Sequence, residues 1–177
     1  MRNKLLLLLF FLLYYTGTSA QSMNISGDQN VTVNEFKSYI SRHKVSSSLS
    51  SPSQALDAQN LEELTSKVQS SVYIKNGQLN SYGQKPRNIF TDTSSLNQVD
   101  NLVSAKNDIE IIIIKINSID DLRTKINLAP LNSFKKLKYL YVVSSIDITA
   151  QDIAKMITNY NDKYSIFYKI EKGDTNQ

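Results

Sequence analysis

Four carboxylates in the C-terminal half of the chain follow segments that we expect to be strands. They are Asp120, Asp121, Asp147 and Glu171. In open parallel sheets, ligands bind beyond the carboxyl ends of the strands, so neighbouring strands would bring these groups together on one rim. Clustered oxygen ligands suit Ca²⁺ or Mg²⁺ rather than Zn²⁺. The sequence therefore predicts a candidate ligand or cation rim at this edge, while it assigns no metal and implies no cofactor.

The rim has a structural and a catalytic alternative. Ser118 suits a helix N-cap, and an Asp near a helix N-terminus interacts favourably with the helix dipole. These residues can therefore have a purely structural role that involves no ligand. If the carboxylates gather in a cleft, they suit a hydrolase that uses carboxylates, with or without a divalent cation. That hydrolase is the alternative to a non-enzymatic function.

Other residue types that support catalysis are rare or isolated. His43 is the single histidine, and without a placed partner we expect it to be a surface or half-buried residue at a helix end. The chain has no cysteine, which excludes thiol catalysis and zinc–thiolate sites. Asp92 and Ser94 begin a D-x-S-x-S metal-adhesion pattern, but Leu96 occupies its last hydroxyl position. We assign no catalytic residue and predict a non-enzymatic binding or interaction module, with an unknown protein or envelope component as its partner.

The densest basic cluster surrounds the start of a predicted strand. It comprises Arg123, Lys125, Lys135, Lys136 and Lys138. The cluster could bind an anionic surface polymer, or it could be a solvated loop whose charges prevent another strand from pairing with the sheet edge. We favour the solvated loop.

The first twenty residues form a predicted signal peptide. Arg2 and Lys4 precede eleven apolar residues at 5–15, and Thr18 and Ala20 occupy the small-residue positions before a cut at Gln21. A membrane span needs about 20 apolar residues, so this segment is too short to be an anchor. We expect cleavage between Ala20 and Gln21, export to the periplasm or exterior, and no stable membrane insertion of the mature chain.

Composition sets further bounds on the mature protein. The 177 residues include 20 basic and 16 acidic side chains, a formal net charge of +4 that becomes +2 when Arg2 and Lys4 leave. This charge gives no electrostatic case for nucleic acid. Without cysteine, the exported chain must fold on its hydrophobic core alone. Its richness in Asn, Ser, Ile and Lys resembles that of bacterial envelope proteins.

The N-terminal half predicts two helices and a hairpin. After a flexible lead-in (21–31), Thr32 and Glu35 form a capping box for a helix that runs to about His43. A second helix spans 52–69, with Leu61, Leu64 and Val68 as its buried stripe. Strands at 72–75 and 78–82 flank Asn76-Gly77, a two-residue hairpin turn.

From residue 88 onward, strands alternate with helices. We expect strands at 88–91, 109–116, 138–144 and 164–171, and helices at 94–105, 118–129 and 149–160. The last of these helices begins with a capping box formed by Thr149 and Asp152. This order predicts a single α/β domain at 32–177, with a small, largely parallel sheet of βαβ units.

The segment 131–145 resembles one leucine-rich repeat. Its apolar positions are Leu131, Phe134, Leu137, Leu140 and Val142, and Ser145 stands where the repeat has Asn. Ile114, Leu140 and Ile166 also recur every 26 residues. Such solenoids need at least three stacked units, and the match covers one. Consecutive βαβ units have a similar period, so we predict a βαβ sheet rather than a repeat protein.

Overall fold

Nine strands can be traced in a computed structural model that describes residues 31–45 and 52–173. They are β1 Val33–Glu35, β2 Ser71–Lys75, β3 Gln78–Tyr82, β4 Asn88–Asp92, β5 Ile111–Ile116, β6 Ile126–Asn127, β7 Tyr139–Ser144, β8 Ile157–Thr158 and β9 Ser165–Ile170. Seven form one sheet in the order β1-β9-β7-β5-β4-β2-β3, and β6 pairs with β8 separately. Only β2 and β3 pair antiparallel in the large sheet. The predicted α/β class with a largely parallel sheet is confirmed.

Two sequence predictions fall wholly or largely outside the described residues. The signal peptide (1–20), with its cleavage site at Ala20 and Gln21, is one, and the lead-in (21–31) is the other. All described residues belong to one compact unit. None of the helices in this part of the chain is long and apolar enough to cross a membrane.

The helices divide between the two faces of the sheet. They are α1 Phe36–Val45, α2 Pro52–Ser66, α3 Val99–Leu102 and α4 Ala150–Met156. Residues of α1 and α2 pack with Ile111, Ile113 and Tyr139 on one face, which we call the helical face. The connections after β4, β5 and β7 pack on the opposite face against Ile112 and Ile114. The central strand β5 is therefore covered on both sides, as its unbroken isoleucine run predicts.

The direction of the chain across the sheet accounts for this division. From β1 the chain crosses to β2 near the far edge, and from β2 it returns strand by strand to β9. Because βαβ connections are right-handed, a chain that reverses its direction across a sheet moves its connections to the other face. The helices α1 and α2 therefore lie opposite α3 and α4.

The returning strands follow one another across the sheet. Strands β2, β4, β5, β7 and β9 lie side by side in this order, and connections with short helices over one face join the last four. Ile89 pairs with Ile112, Ile112 with Leu140, and Leu140 with Ile166. Leu140, an apolar position of the segment 131–145, therefore occupies the same register position as Ile112 and Ile166 on the neighbouring strands. The 26-residue recurrence fails at Ile114, which pairs with Val142 instead.

The connecting helices are shorter than predicted. Residues 94–105 form a 3₁₀ helix, Leu96–Gln98, followed by α3, and residues 118–129 begin with a 3₁₀ helix at Asp120–Arg123. Ile126 and Ile157 pair across β6 and β8 instead of continuing their helices. This small parallel pair ends both predicted helices early. Leu96, Val99 and Val103 are nevertheless buried, as their spacing predicts.

One of the two predicted capping boxes is confirmed. Thr149 and Asp152 cap α4 reciprocally. Thr32 caps no helix, because Val33–Glu35 pairs with β9 and α1 begins only at Phe36. The carboxylate of Glu35 instead accepts the N–H groups of Lys37 (3.0 Å) and Ser38 (2.6 Å).

Candidate functional site

A groove of about 680 Å³ lies on the helical face, over strands β2 to β5. We call it the aromatic groove, and its lining includes Gln69, Tyr73, Lys75, Asn80, Tyr82, Phe90, Asp92, Lys115 and Asn117. It exists because α2 ends at Ser66 and leaves this part of the sheet uncovered. Val68, which the sequence placed in the helix stripe, is fully exposed on the groove wall (104%).

Three aromatic rings form one side of the groove. Tyr73 stacks on Phe90 with centroids 4.7 Å apart and planes 7° apart. Tyr82 meets Tyr73 edge-on at 5.5 Å. Tyr73 is 43% exposed and Tyr82 is 62% exposed. Large aromatic rings kept this accessible in a concave surface are typical of a binding site.

A row of charged side chains crosses the sheet beside the rings. Asp92 pairs in register with Lys115, and Lys75 ends the neighbouring strand β2. The Asp92 carboxylate accepts hydrogen bonds from the Ser94 hydroxyl and the Ser95 N–H, both at 2.7 Å. Although burial opposes the effect, these bonds and the charge of Lys75 lower the pKa of Asp92. Asp92 is thus engaged with its own loop, while the 3₁₀ helix that follows has Ser95 at its N-cap position without a side-chain hydrogen bond.

The two lysines of this row remain available to a ligand. Within residues 31–45 and 52–173, neither Lys75 nor Lys115 forms an ion pair or donates a side-chain hydrogen bond. Both side chains are exposed, and both line the groove. The charge that the groove presents is therefore positive.

Amide groups add hydrogen-bonding capacity. Asn80 lies opposite Tyr73 on β3, and Asn117 directly follows β5. The side-chain amides of both residues have no hydrogen-bond partner within the described part of the chain. A side-chain amide both donates and accepts, so these groups suit a ligand rich in hydroxyls.

Two sets of contacts hold the groove in place. Ser95 accepts the Asn76 N–H with its hydroxyl (3.1 Å), which joins the hairpin turn to the loop after β4. At the opposite end of the strands, Arg87 contacts Glu110 twice, Nε to Oε1 at 2.6 Å and Nη2 to Oε2 at 3.1 Å. Arg87 also reaches Gln69, three residues after the end of α2 (Nη1 to Oε1, 3.4 Å). These contacts fix the hairpin and the end of α2 relative to the sheet.

The four carboxylates of the predicted acidic rim each bond to a different set of neighbours. Asp121 makes the most contacts. Asp121 accepts the N–H groups of Asn117 (2.8 Å) and Ser118 (2.9 Å) and the Thr93 hydroxyl (3.3 Å). Burial opposes the effect, but these bonds lower its pKa overall. Asp121 therefore bonds the N–H groups just before the 3₁₀ helix, and Ser118 is not its N-cap, because that position is Ile119.

The other three rim carboxylates are exposed. Asp120 is 85% exposed and lies 3.5 Å from Arg123, Asp147 pairs with Lys172 (2.8 Å), and Glu171 pairs with Lys169. Among the residues that the structure describes, no three His, Asp or Glu side chains form a group that could hold a metal ion. The rim as a ligand site stays a prediction.

His43 and the basic cluster have structural partners. His43 Nδ1 lies 2.8 Å from the Tyr39 carbonyl in the last turn of α1, where its ring is half-buried. In the cluster, Lys136 pairs with Asp108 and Lys138 with Asp57. These three side chains are therefore engaged with other groups of the protein.

The site residues predicted from the sequence do not include the tyrosines of the groove. Four other tyrosines lie on the predicted strands at 138–144 and 164–171, and of these Tyr139, Tyr141 and Tyr164 are buried and Tyr168 is half-buried. Burial raises the pKa of Tyr164 to about 12. A usable signal lay in the hairpin, where Tyr73, Lys75, Asn80 and Tyr82 follow the two-residue alternation of one sheet face. The sequence pattern did not predict that α2 ends at Ser66, and this end decides whether the helical face of the hairpin is covered.

Comparison with family models, with curated proteins and with solved structures found no match for this chain. The geometry of the groove is therefore the basis for any functional proposal.

Proposed function

We propose that this chain is an exported, non-enzymatic binding module of the cell envelope or exterior, and that its ligand binds in the aromatic groove. The observation that carries the proposal is the combination of exposed Tyr73 and Tyr82 with unpaired Lys75 and Lys115 in one concave surface. Export rests on the predicted signal peptide at residues 1–20.

The groove suits binding because the backbone that carries its side chains is fixed by a tight turn and a hydrogen bond. The hairpin that carries Tyr73 and Tyr82 has a two-residue turn at Asn76 and Gly77, both with positive φ (53° and 73°). The loop after β4 fixes that turn through Ser95. A groove built on paired strands and a hydrogen-bonded hairpin turn loses less conformational entropy on binding than one built on loops, which supports affinity.

The groove offers recognition groups rather than a reacting pair. Its carboxylate, Asp92, accepts two hydrogen bonds at 2.7 Å from its own loop and has a lowered pKa, so it is a poor proton donor at neutral pH. The carboxylate-based hydrolase has no specific observation in its favour, and we do not propose it.

Two measurements test the proposal. First, the full chain is expressed in a bacterium, and the exported product is analysed by mass spectrometry for an N-terminus at Gln21. A chain that stays uncut in the cytoplasm would overturn the export part.

Second, the purified exported chain is sedimented with protein-free envelope polysaccharide from the organism that makes it. We expect co-sedimentation by the wild type and its loss in Tyr82→Ala. A matched control is Ile119→Ala, which removes another exposed large side chain, outside the groove. Equal sedimentation of all three proteins, or of none, would overturn the binding part.

A further inference from the structure

We infer that the ligand of the aromatic groove is an acidic oligosaccharide, a run of sugar rings that carry carboxylates. This inference rests on the proposed function and specifies its ligand class. It follows from the three kinds of side chain that line the groove: free cations, exposed aromatic rings and unpartnered amides.

The cations select an anion with repeated charges. Lys75 ends β2 and Lys115 lies in β5, with β4 between them. Two strand spacings separate these strands by about 10 Å. The carboxylate between them, Asp92, is engaged by Ser94 and Ser95. A ligand that crosses the strands therefore meets two separate positive charges, which suits a polymer with repeated carboxylates better than one small anion.

The rings and amides select sugars among anionic polymers. Pyranose rings present flat C–H faces that pack on aromatic rings, and Tyr82 and Tyr73 are exposed for such packing. Sugar hydroxyls donate and accept hydrogen bonds, as do the amides of Asn80 and Asn117. These four groups and the two lysines line one groove.

An acidic peptide fits this surface less well. Extended peptides add to a sheet through the main-chain groups of a free edge. The groove instead lies on the face of the sheet, where β2, β4 and β5 already pair with one another through their main chains. Recognition here must come from side chains.

A single strand of nucleic acid also combines charge and stacking, but such sites track the backbone with many cations. Lys75 and Lys115 are the two cationic side chains among the described lining residues, fewer than such a site uses, and flat C–H faces of sugars have no counterpart in this mode of binding.

Calorimetric titration of the purified exported chain tests the inference with four defined probes. They are tetragalacturonate, its fully methyl-esterified neutral form, an acetylated hexaglutamate peptide and an oligothymidylate. The ester is the matched control, since it keeps the rings and removes the charges. We expect tetragalacturonate to bind. The affinity of the ester should be lower by a factor of at least about ten, as the loss of a charge-assisted hydrogen bond implies.

Variants separate the contributions. Lys115→Gln should weaken tetragalacturonate about tenfold and leave the ester unchanged, whereas Tyr82→Ala should weaken both. Lys135→Gln replaces an exposed lysine outside the groove and should change the affinity for neither sugar.

Three outcomes would overturn the inference: equal affinity for the acid and the ester, no change of affinity in Lys115→Gln, or binding of the peptide or the oligothymidylate alone. If Tyr82-dependent sedimentation with envelope polysaccharide persists while tetragalacturonate fails, the ligand class is wrong and the proposed function stands.

Discussion

Tyr73 and Phe90 are in-register partners on neighbouring parallel strands, and their rings stack with centroids 4.7 Å apart. Tyr73 is the middle ring of the three, because Tyr82 meets it on the other side. This arrangement joins the hairpin, which is local in sequence, to β4. The groove therefore depends on the same contact that holds the hairpin against the sheet.

Replacement of Tyr73 should destabilise the protein more than replacement of Tyr82. We expect Tyr73→Leu to lower the free energy of unfolding by about 1 kcal/mol, the usual worth of an aromatic pair beyond its burial. Tyr82→Ala should cost less, because its ring is 62% exposed. Urea unfolding at one pH measures both. A larger loss for Tyr82→Ala than for Tyr73→Leu would contradict this description of the rings.

Two glycines with positive φ flank β3, Gly77 in the hairpin turn and Gly83 directly after the strand. Gly77 (φ +73°) and Gly83 (φ +81°) occupy a conformation that costs other residues about 1–2 kcal/mol. A Cβ at Gly83 would also lie 2.9 Å from Ser70 Cβ. We expect Gly83→Ala to destabilise more than Gly77→Ala in thermal unfolding. Gly173→Ala is the control, since a Cβ there meets nothing within 4 Å, and a Tm change equal to the others would refute the argument.

Acidification should weaken the Arg87–Glu110 ion pair. The hydrogen bond from Arg87 lowers the pKa of Glu110 below its ordinary value of 4.5, despite partial burial. The pair's stabilisation is therefore complete above pH 4.5 and is lost as the pH falls through the lower pKa of the folded state. We expect Glu110→Gln to be less stable than the wild type near neutral pH, with the difference shrinking towards about pH 3. Urea midpoints across this range measure it, and a difference that grows on acidification would have the wrong sign.

Two threonines that look alike in sequence should behave differently. Thr149 accepts the Asp152 N–H at 3.2 Å and caps α4, so Thr149→Ala should cost about 1 kcal/mol. Thr32 precedes β1 and caps no helix, so Thr32→Ala should change stability by under about 0.5 kcal/mol. Thermal unfolding of the pair checks this, with Thr149→Ser as the variant that keeps the cap. Equal losses would show that the sequence-based assignment at Thr32 was right after all.

The sequence predicted the elements that short-range chemistry determines. The hairpin at Asn76-Gly77, the buried strand β5 and the Thr149 box all follow from residues a few positions apart. The errors occur where a distant partner decides the structure. Val33–Glu35 is a strand only because β9 lies beside it, and Ile126 leaves its helix only because Ile157 pairs with it.

The candidate site escaped prediction for the same reason. The acidic rim stays a prediction, and two of its carboxylates, Asp120 and Asp147, pair with Arg123 and Lys172. The groove rests on exposed aromatic residues that look like core residues in sequence. Their exposure follows from the end of α2 at Ser66, which no local pattern marks.

Mapping of backbone amide shifts during titration with tetragalacturonate tests most directly whether the aromatic groove is the ligand site. We predict the largest shifts at Tyr73, Lys75, Asn80 and Lys115, all of which line the groove. Asp120, Asp147 and Glu171, the exposed carboxylates of the rim, should hardly move. Shifts centred on those carboxylates, or none in the groove at saturation, would contradict the account.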